Sequence, residues 1–195
     1  MMEKTSNVLE RCPWSGTGTM QAYHDTEWGV PLHDDRLLFE FISLDGAQAG
    51  LSWATILNRR NAYREAFDNF VPDIVADYDM AKIEELLINP GIIRNRRKII
   101  SVVNNAKTVL DIQREYGSLD KFLWDIVGGK PIVNSWEVDN DIPAKTTLSE
   151  TMSKTMIRQG FSFVGSTICY AFMQAAGMVN DHLISCFRYK EINEL

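Results

Sequence analysis

The chain reads as an all-α protein, and three observations predict it. Apolar residues recur at three- and four-residue spacing in one stretch after another, the signature of helices with one buried face. No run alternates convincingly enough to pair as strands. Near the C-terminus, residues 160–186 combine a short apolar turn, a helix apolar on nearly every side, and His182 four residues before Cys186.

With 195 residues, 45% of them hydrophobic and 24% charged, the chain has the make-up of a soluble globular protein. No repeat, low-complexity tract or linker divides it, so a single helical domain over 1–195 is expected, in one lobe or two. No apolar run approaches the ~20 residues of a membrane span. The first ten residues lack the basic start and apolar centre of a secretory signal, so a cytoplasmic protein is expected. A net charge of -6 argues against wholesale attraction to nucleic acid. A DNA contact would rest on a local patch, and 58–60 and 94–98 are the dense candidates, although such runs are often plain solvated surface. Three cysteines, Cys12, Cys169 and Cys186, make no disulfide framework.

Taken in order, the first residues with chemistry are Cys12 and His24, and His182 and Cys186 stand at the other end. A pair at i, i+4 on a helix points both side chains at one ion, and zinc takes four N/S ligands in a tetrahedron. Such a site would staple the chain ends together, but Cys and His also serve as ordinary core or surface residues. Between them lie Trp14, Tyr23 and Trp28 with Gly16, Gly18 and Gly29 nearby. They are either core or an irregular segment lining something flat.

Asp34 or Asp35 then caps a helix with Leu37, Leu38, Phe41 and Ile42 inward. The Leu38, Ile42 row leads to Asp45, just before Gly46, and a carboxylate on a buried face needs a reason. It is either an acceptor for the following turn or an acceptor pointing into a pocket. Ser52 caps a helix carrying Trp53, which brings an indole near that carboxylate. Tyr63, Phe67 and Phe70 read as core, as do Ile83, Leu86 and Leu87 on a helix that Pro90 and Gly91 end. Ile99, Val102, Val103, Ala106, Val109 and Leu110 pattern a helix ending at Gly117, Ser118 starts the next, and 130–144 reads as a connecting loop.

Thr147 and Glu150 have the form of a capping box for a helix that Gly160 ends in the left-handed conformation. Gly165 reverses the chain and starts a helix on which Ile168, Ala171, Phe172, Ala175 and Val179 repeat, giving a helix-hairpin-helix over about 147–179. The N–H groups of Gly165 and Ser166 at that turn suit a phosphate oxygen, or the turn merely joins two core helices. His182 and Cys186 fall on a following helix.

The segments 10–12 with Trp14, 22–31, 44–53, 91–96, 122–124 and 160–186 occur in this order and together resemble the bacterial 3-methyladenine DNA glycosylase I family, a divergent branch of the helix-hairpin-helix glycosylases. The resemblance covers about 10–186. It implies an enzyme that flips 3-methyladenine out of alkylated double-stranded DNA and hydrolyses its N-glycosidic bond; a monomer without a membrane partner is expected. It implies structural zinc on Cys12, His24, His182 and Cys186, and a base pocket of Tyr23 and Trp53 with Trp14 and Trp28 close by. The family's pocket carboxylate is usually Glu; the matching residue here is Asp45, one methylene shorter, as the catalytic candidate. Many of these glycosylases carry an essential Asp after the hairpin's second helix, where the resemblance aligns Asn180, with Asp181 as a neighbouring candidate. The competing reading is a zinc-stapled helical protein that binds DNA or damaged bases without cleaving them.

Overall fold

Six helices of this chain begin where a polar side chain satisfies free N–H groups of their first turn. In the computed structural model, which describes residues 9–195, the Asp34 carboxylate accepts from the Leu37 N–H (2.8 Å) and opens α2 (Asp35–Gln48), after the shorter α1 (Thr19–Thr26). Ser52 opens α3 (Trp53–Leu57) in the same way, and α4 (Arg60–Ala66) and α5 (Pro72–Ala76) follow. Asp79 opens α6 (Met80–Ile88), Asn95 opens α7 (Arg96–Tyr116) and Ser118 opens α8 (Leu119–Ile126).

The cap of α9 (Thr147–Gln159) stands one residue earlier than the sequence suggests. Thr146 is the extended residue and exchanges hydrogen bonds with Ser149, while Glu150 pairs with Lys145 at 2.7 Å instead. Gly160 ends α9 with φ of 109°, as expected. The reversal that follows does not use Gly165, whose φ is -61°; the left-handed residue is Phe163, with φ of 57°. A non-glycine residue tolerates that conformation because its neighbours are fixed. Asn105 on α7 donates to Ser162 O (3.0 Å) and accepts from Ser162 N–H (2.8 Å), and Ser153 donates to Val164 O (2.7 Å).

From that turn α10 (Ser166–Ala175) runs to Ala175 and stops short of Val179. Val179 lies instead in a two-residue strand, β2 (Val179–Asn180), paired in parallel with β1 (Ile132–Val133). Strands this short leave no alternation to read, so the expectation of no pairing fails there. His182 and Cys186 are not on a helix either: both lie in the turn after β2, and Cys186 is the N-cap of α11 (Phe187–Asn193).

Packing centres on α2, where Leu38, Phe39 and Leu44 are completely buried, with α10 on one side and α7 on another. Its one fully buried charge, Glu40, meets Arg60 Nε at 2.5 Å and Arg64 Nε at 3.0 Å, which makes the burial tolerable. Lys98 donates to Ala47 O and Ala49 O at 2.8 and 2.7 Å and so closes the C-terminal end of α2. Arg96 is exposed but pairs with Glu84 at 2.6 Å, so among the described residues Arg94 and Arg97 are the exposed cations of the 94–98 run without an ion-pair partner. Among the described residues no helix is long and apolar enough to cross a membrane.

Gly177 marks where the end of α10 meets the N-terminal segment. Its φ is +67°, and a Cβ there would fall 2.3 Å from Val30 C and 2.4 Å from Pro31 N. Gly177→Ala is therefore expected to destabilise the fold by about 3 kcal/mol or more, read as a lowered urea midpoint. Gly165→Ala, with ordinary φ and open space around it, should cost less than about 1 kcal/mol. Equal losses would return the reversal to Gly165.

Candidate active site

Neighbouring residues on α1 face two different places. Tyr23 turns into a cavity and His24 into a cluster of sulfur and nitrogen atoms, so one helix positions part of both. A 3-10 turn, Pro13–Ser15, carries Trp14 to the cavity, and the turn after α1 carries Trp28. The segment expected to be irregular is thus largely a short helix with turns on either side.

The cavity has a volume of about 350 Å³, within the range of small-molecule sites. Trp14 and Trp28 meet edge to face with ring centres 4.7 Å apart, and Tyr23 lies 5.5 Å from Trp53. Asp45 lines it from within α2, only 3% exposed, and its Oδ2 has no hydrogen-bond partner; nor does the buried Nε1 of Trp53. A buried polar atom left unsatisfied costs about 1–3 kcal/mol, and such atoms in a pocket mark where a guest would bond. Burial holds the Asp45 carboxyl well above the usual carboxylate range. Burial, and then the nearby Asp45, likewise raise the Tyr23 phenol. Among the described residues no Lys, Arg or His lines the cavity.

The second cluster joins the two ends of the chain. Ligand atoms of Cys12, His24, His182 and Cys186, all buried, lie within 4.8 Å of one another and form a group that can hold a metal ion. Cys186 Sγ is 3.4 Å from His24 Nε2 and 3.6 Å from His182 Nδ1, and Cys12 Sγ is 3.6 Å from the same His182 nitrogen. Each ring is aimed by its other nitrogen: His24 Nδ1 donates to Asp25 (2.8 Å) and His182 Nε2 donates to Trp28 O (3.0 Å). Asp25 is in turn gripped by Arg11 through Nε and Nη2, at 2.9 and 2.8 Å. Hydrogen bonding from Cys12, with His182 and His24 alongside, pulls the Cys186 thiol well below its ordinary range.

All five residues expected at the pocket, Trp14, Tyr23, Trp28, Asp45 and Trp53, line the one cavity. Gly165 and Ser166 stand at the start of α10, whose later turns supply Ala171, Gln174 and Ala175 as a wall, roughly 8 to 15 Å away along the helix. Asn180 is buried and donates to Tyr189 O and Asn193. Asp181, fully buried, accepts from Asn134, Trp136, Tyr170 and Gln174 at 2.6 to 2.8 Å. Sequence reasoning missed Met20, Gln48, Asp139, Ile142 and Gln174. Gln48 was within reach as the residue three beyond Asp45, and Gln174 as the polar member of an i, i+3, i+4 row on α10. Asp139 sits in a stretch with no period to follow.

The burial of Asp45 sets a pH dependence. A carboxyl whose folded-state pKa is raised contributes full stability below its unfolded value and loses it as pH climbs towards the folded value. Asp45→Asn removes that loss. In thermal melts from pH 4 to 8, the variant should gain on the native protein as pH rises; a constant difference would mean that Asp45 ionises normally.

Known proteins place this architecture. A sequence profile of the family described as methyladenine glycosylase matches residues 14–189. The DNA-3-methyladenine glycosylase of Haemophilus influenzae is 45% identical over 180 residues, 92% of this chain and 97% of that protein. DNA-3-methyladenine glycosylase 1 of Escherichia coli is 43% identical over 182 residues, 93% and 97% of the two chains. A crystal structure of 3-methyladenine DNA glycosylase I matches with a TM-score of 0.89 at 45% identity, covering 91% of this chain and 98% of that one. The Staphylococcus aureus 3-methyladenine DNA glycosylase I, in a structure on its recognition of 3-methyladenine, matches at 0.88 and 37% identity, covering 92% and 96%. Likeness of this extent in sequence and in fold has one meaning: the chain belongs to the methyladenine glycosylase family.

Proposed function

We propose that this protein is a DNA-repair glycosylase that extrudes 3-methyladenine from alkylated duplex DNA and hydrolyses its N-glycosidic bond. The observation that carries this reading is the cavity walled by four aromatic residues, free of basic side chains, with an unpartnered Asp45 oxygen buried in it. The named relatives, including a structure of a glycosylase I variant in complex with 3-methyladenine, support the choice of base.

Alkylation at N3 makes the purine cationic and weakens its bond to the sugar. The base then leaves without a strong general acid, and the enzyme's work is selection and positioning. Aromatic faces attract the cation by about 0.5 to 2 kcal/mol per contact. Asp45 accepts from the exocyclic amine of adenine, where guanine offers a carbonyl acceptor that a carboxylate repels. With its shorter arm, Asp45 makes this contact directly or through one water. A cationic guest also favours the ionised form of Asp45, drawing the raised pKa back down as it enters.

Zinc is the ion we assign to Cys12, His24, His182 and Cys186. Zn–S bonds of about 2.3 Å and Zn–N bonds of about 2.0–2.1 Å in a tetrahedron put sulfur and nitrogen ligand atoms about 3.5 Å apart. The separations of 3.4 to 3.6 Å fit. Four protein ligands leave no open position, so the ion's role is to fix structure. We read 1–195 as one glycosylase domain in which α9, the turn and α10 form a helix-hairpin-helix. No side chain caps α10, which leaves the N–H groups at Gly165 and Ser166 to a DNA phosphate.

Release of free base from methylated duplex DNA, followed by chromatography, tests the activity. The native protein should release 3-methyladenine, and Asp45→Asn at matched folding should be slower by about tenfold to a hundredfold, the worth of one good base contact. Native protein that binds DNA yet releases nothing would establish the non-cleaving reading instead. Metal analysis tests the ion: purified protein should hold near-stoichiometric zinc, and the His182→Ala, Cys186→Ala double variant should not. Undiminished zinc in that variant would refute the four-ligand site.

A further inference from the structure

A carboxylate that the sequence offers only as part of a connecting loop stands at the cavity. Asp139 lines it together with Ile142, and these two are the contribution of the 130–144 segment. Among the described residues, Asp139 and Asp45 are the only charged ones lining the cavity. They differ in depth: Asp45 is 3% exposed, while Asp139 is half-buried, as a rim residue is. Among the described residues the Asp139 side chain has no hydrogen-bond or ion-pair partner in the fold.

The loop is not loose at this point. Asn134 and Trp136 both donate to Asp181 Oδ1, at 2.6 and 2.7 Å, and Trp136 O accepts from the Ile184 N–H at 3.0 Å. Asp181 has four donors and no exposure. It therefore has no face left for a substrate, and its work is to anchor the loop that carries Asp139.

On the reading that a cationic purine enters this cavity, the base occupies the deep aromatic part and its sugar, still joined to the DNA backbone, stays at the mouth. The depth order then places Asp45 on the base side and Asp139 on the sugar side. We infer that Asp139 is a second carboxylate of the reaction, one that faces C1′ of the extruded nucleotide and receives the proton of the attacking water. The C1′–N9 bond breaks with its electron pair leaving on the base, which departs as neutral 3-methyladenine while the positive charge passes to the sugar. Asp139 stabilises that charge. Water then forms the C1′–O bond, and its proton passes to the Asp139 carboxylate and from there to solvent.

The test is single-turnover release of 3-methyladenine from methylated duplex DNA at saturating protein, with DNA affinity measured separately, for native protein, Asp139→Asn and Asp139→Glu. The Asn variant should lower the saturated rate by about tenfold to a hundredfold with affinity changed less than about twofold, and the Glu variant should recover most of the rate. A purely structural role would not give that recovery with unchanged melting. An Asn variant that releases base within about twofold of native, or one that loses only DNA affinity, would overturn the inference and leave the glycosylase reading intact. Native protein that releases no base would sink that reading, and this one with it.

Discussion

The imidazole of His182 holds this architecture together. One ring nitrogen faces both Cys12 and Cys186, 3.6 Å from each sulfur, and the other donates to the carbonyl of Trp28. The indole of Trp28 packs edge-on against the same ring at 4.6 Å and lines the cavity on its far side. Gly29 is glycine for the same reason, since a Cβ there would come within 3.1 Å of His182 Nε2. The Cys/His cluster and the cavity thus share a wall, and whatever fixes the first fixes the shape of the second.

The second constraint is electrostatic. Glu40, five residues before Asp45 on α2, is buried and paired with arginines, whereas Asp45 on the same helix is buried and has an oxygen with no partner. Two acids on one helix are treated in opposite ways, and only the unpaired one faces the cavity. The core around Leu38, Phe39 and Leu44 sustains that local cost, an arrangement expected where stability is given up for binding.

Much of this was legible in the residues because the signals are local. A helix cap depends on a hydrogen bond over three residues, so Asp34, Ser52 and Ser118 announce their helices. The pocket aromatics and the Cys/His set are legible by residue type, together with the family likeness. Other features depend on partners far along the chain. Phe163 is left-handed because Asn105, on another helix, pins Ser162. The His182, Cys186 pair looks helical by spacing but sits in a turn, because Asn180 and Asp181 are drawn into buried networks just before it. Asp139 gains its place from Trp136 meeting Asp181 45 residues on, and no pattern in the loop itself records that.

Three of the five tryptophans, Trp14, Trp28 and Trp53, line the cavity, and Trp14 and Trp28 also pack on His24 of the Cys/His cluster, at 5.2 and 6.4 Å. Most of the indoles therefore border the site. A flat guest stacked among these rings and an ion bound behind them would each perturb the same chromophores, so the chain carries a built-in optical reporter in which occupancy of one site is read against the state of the other.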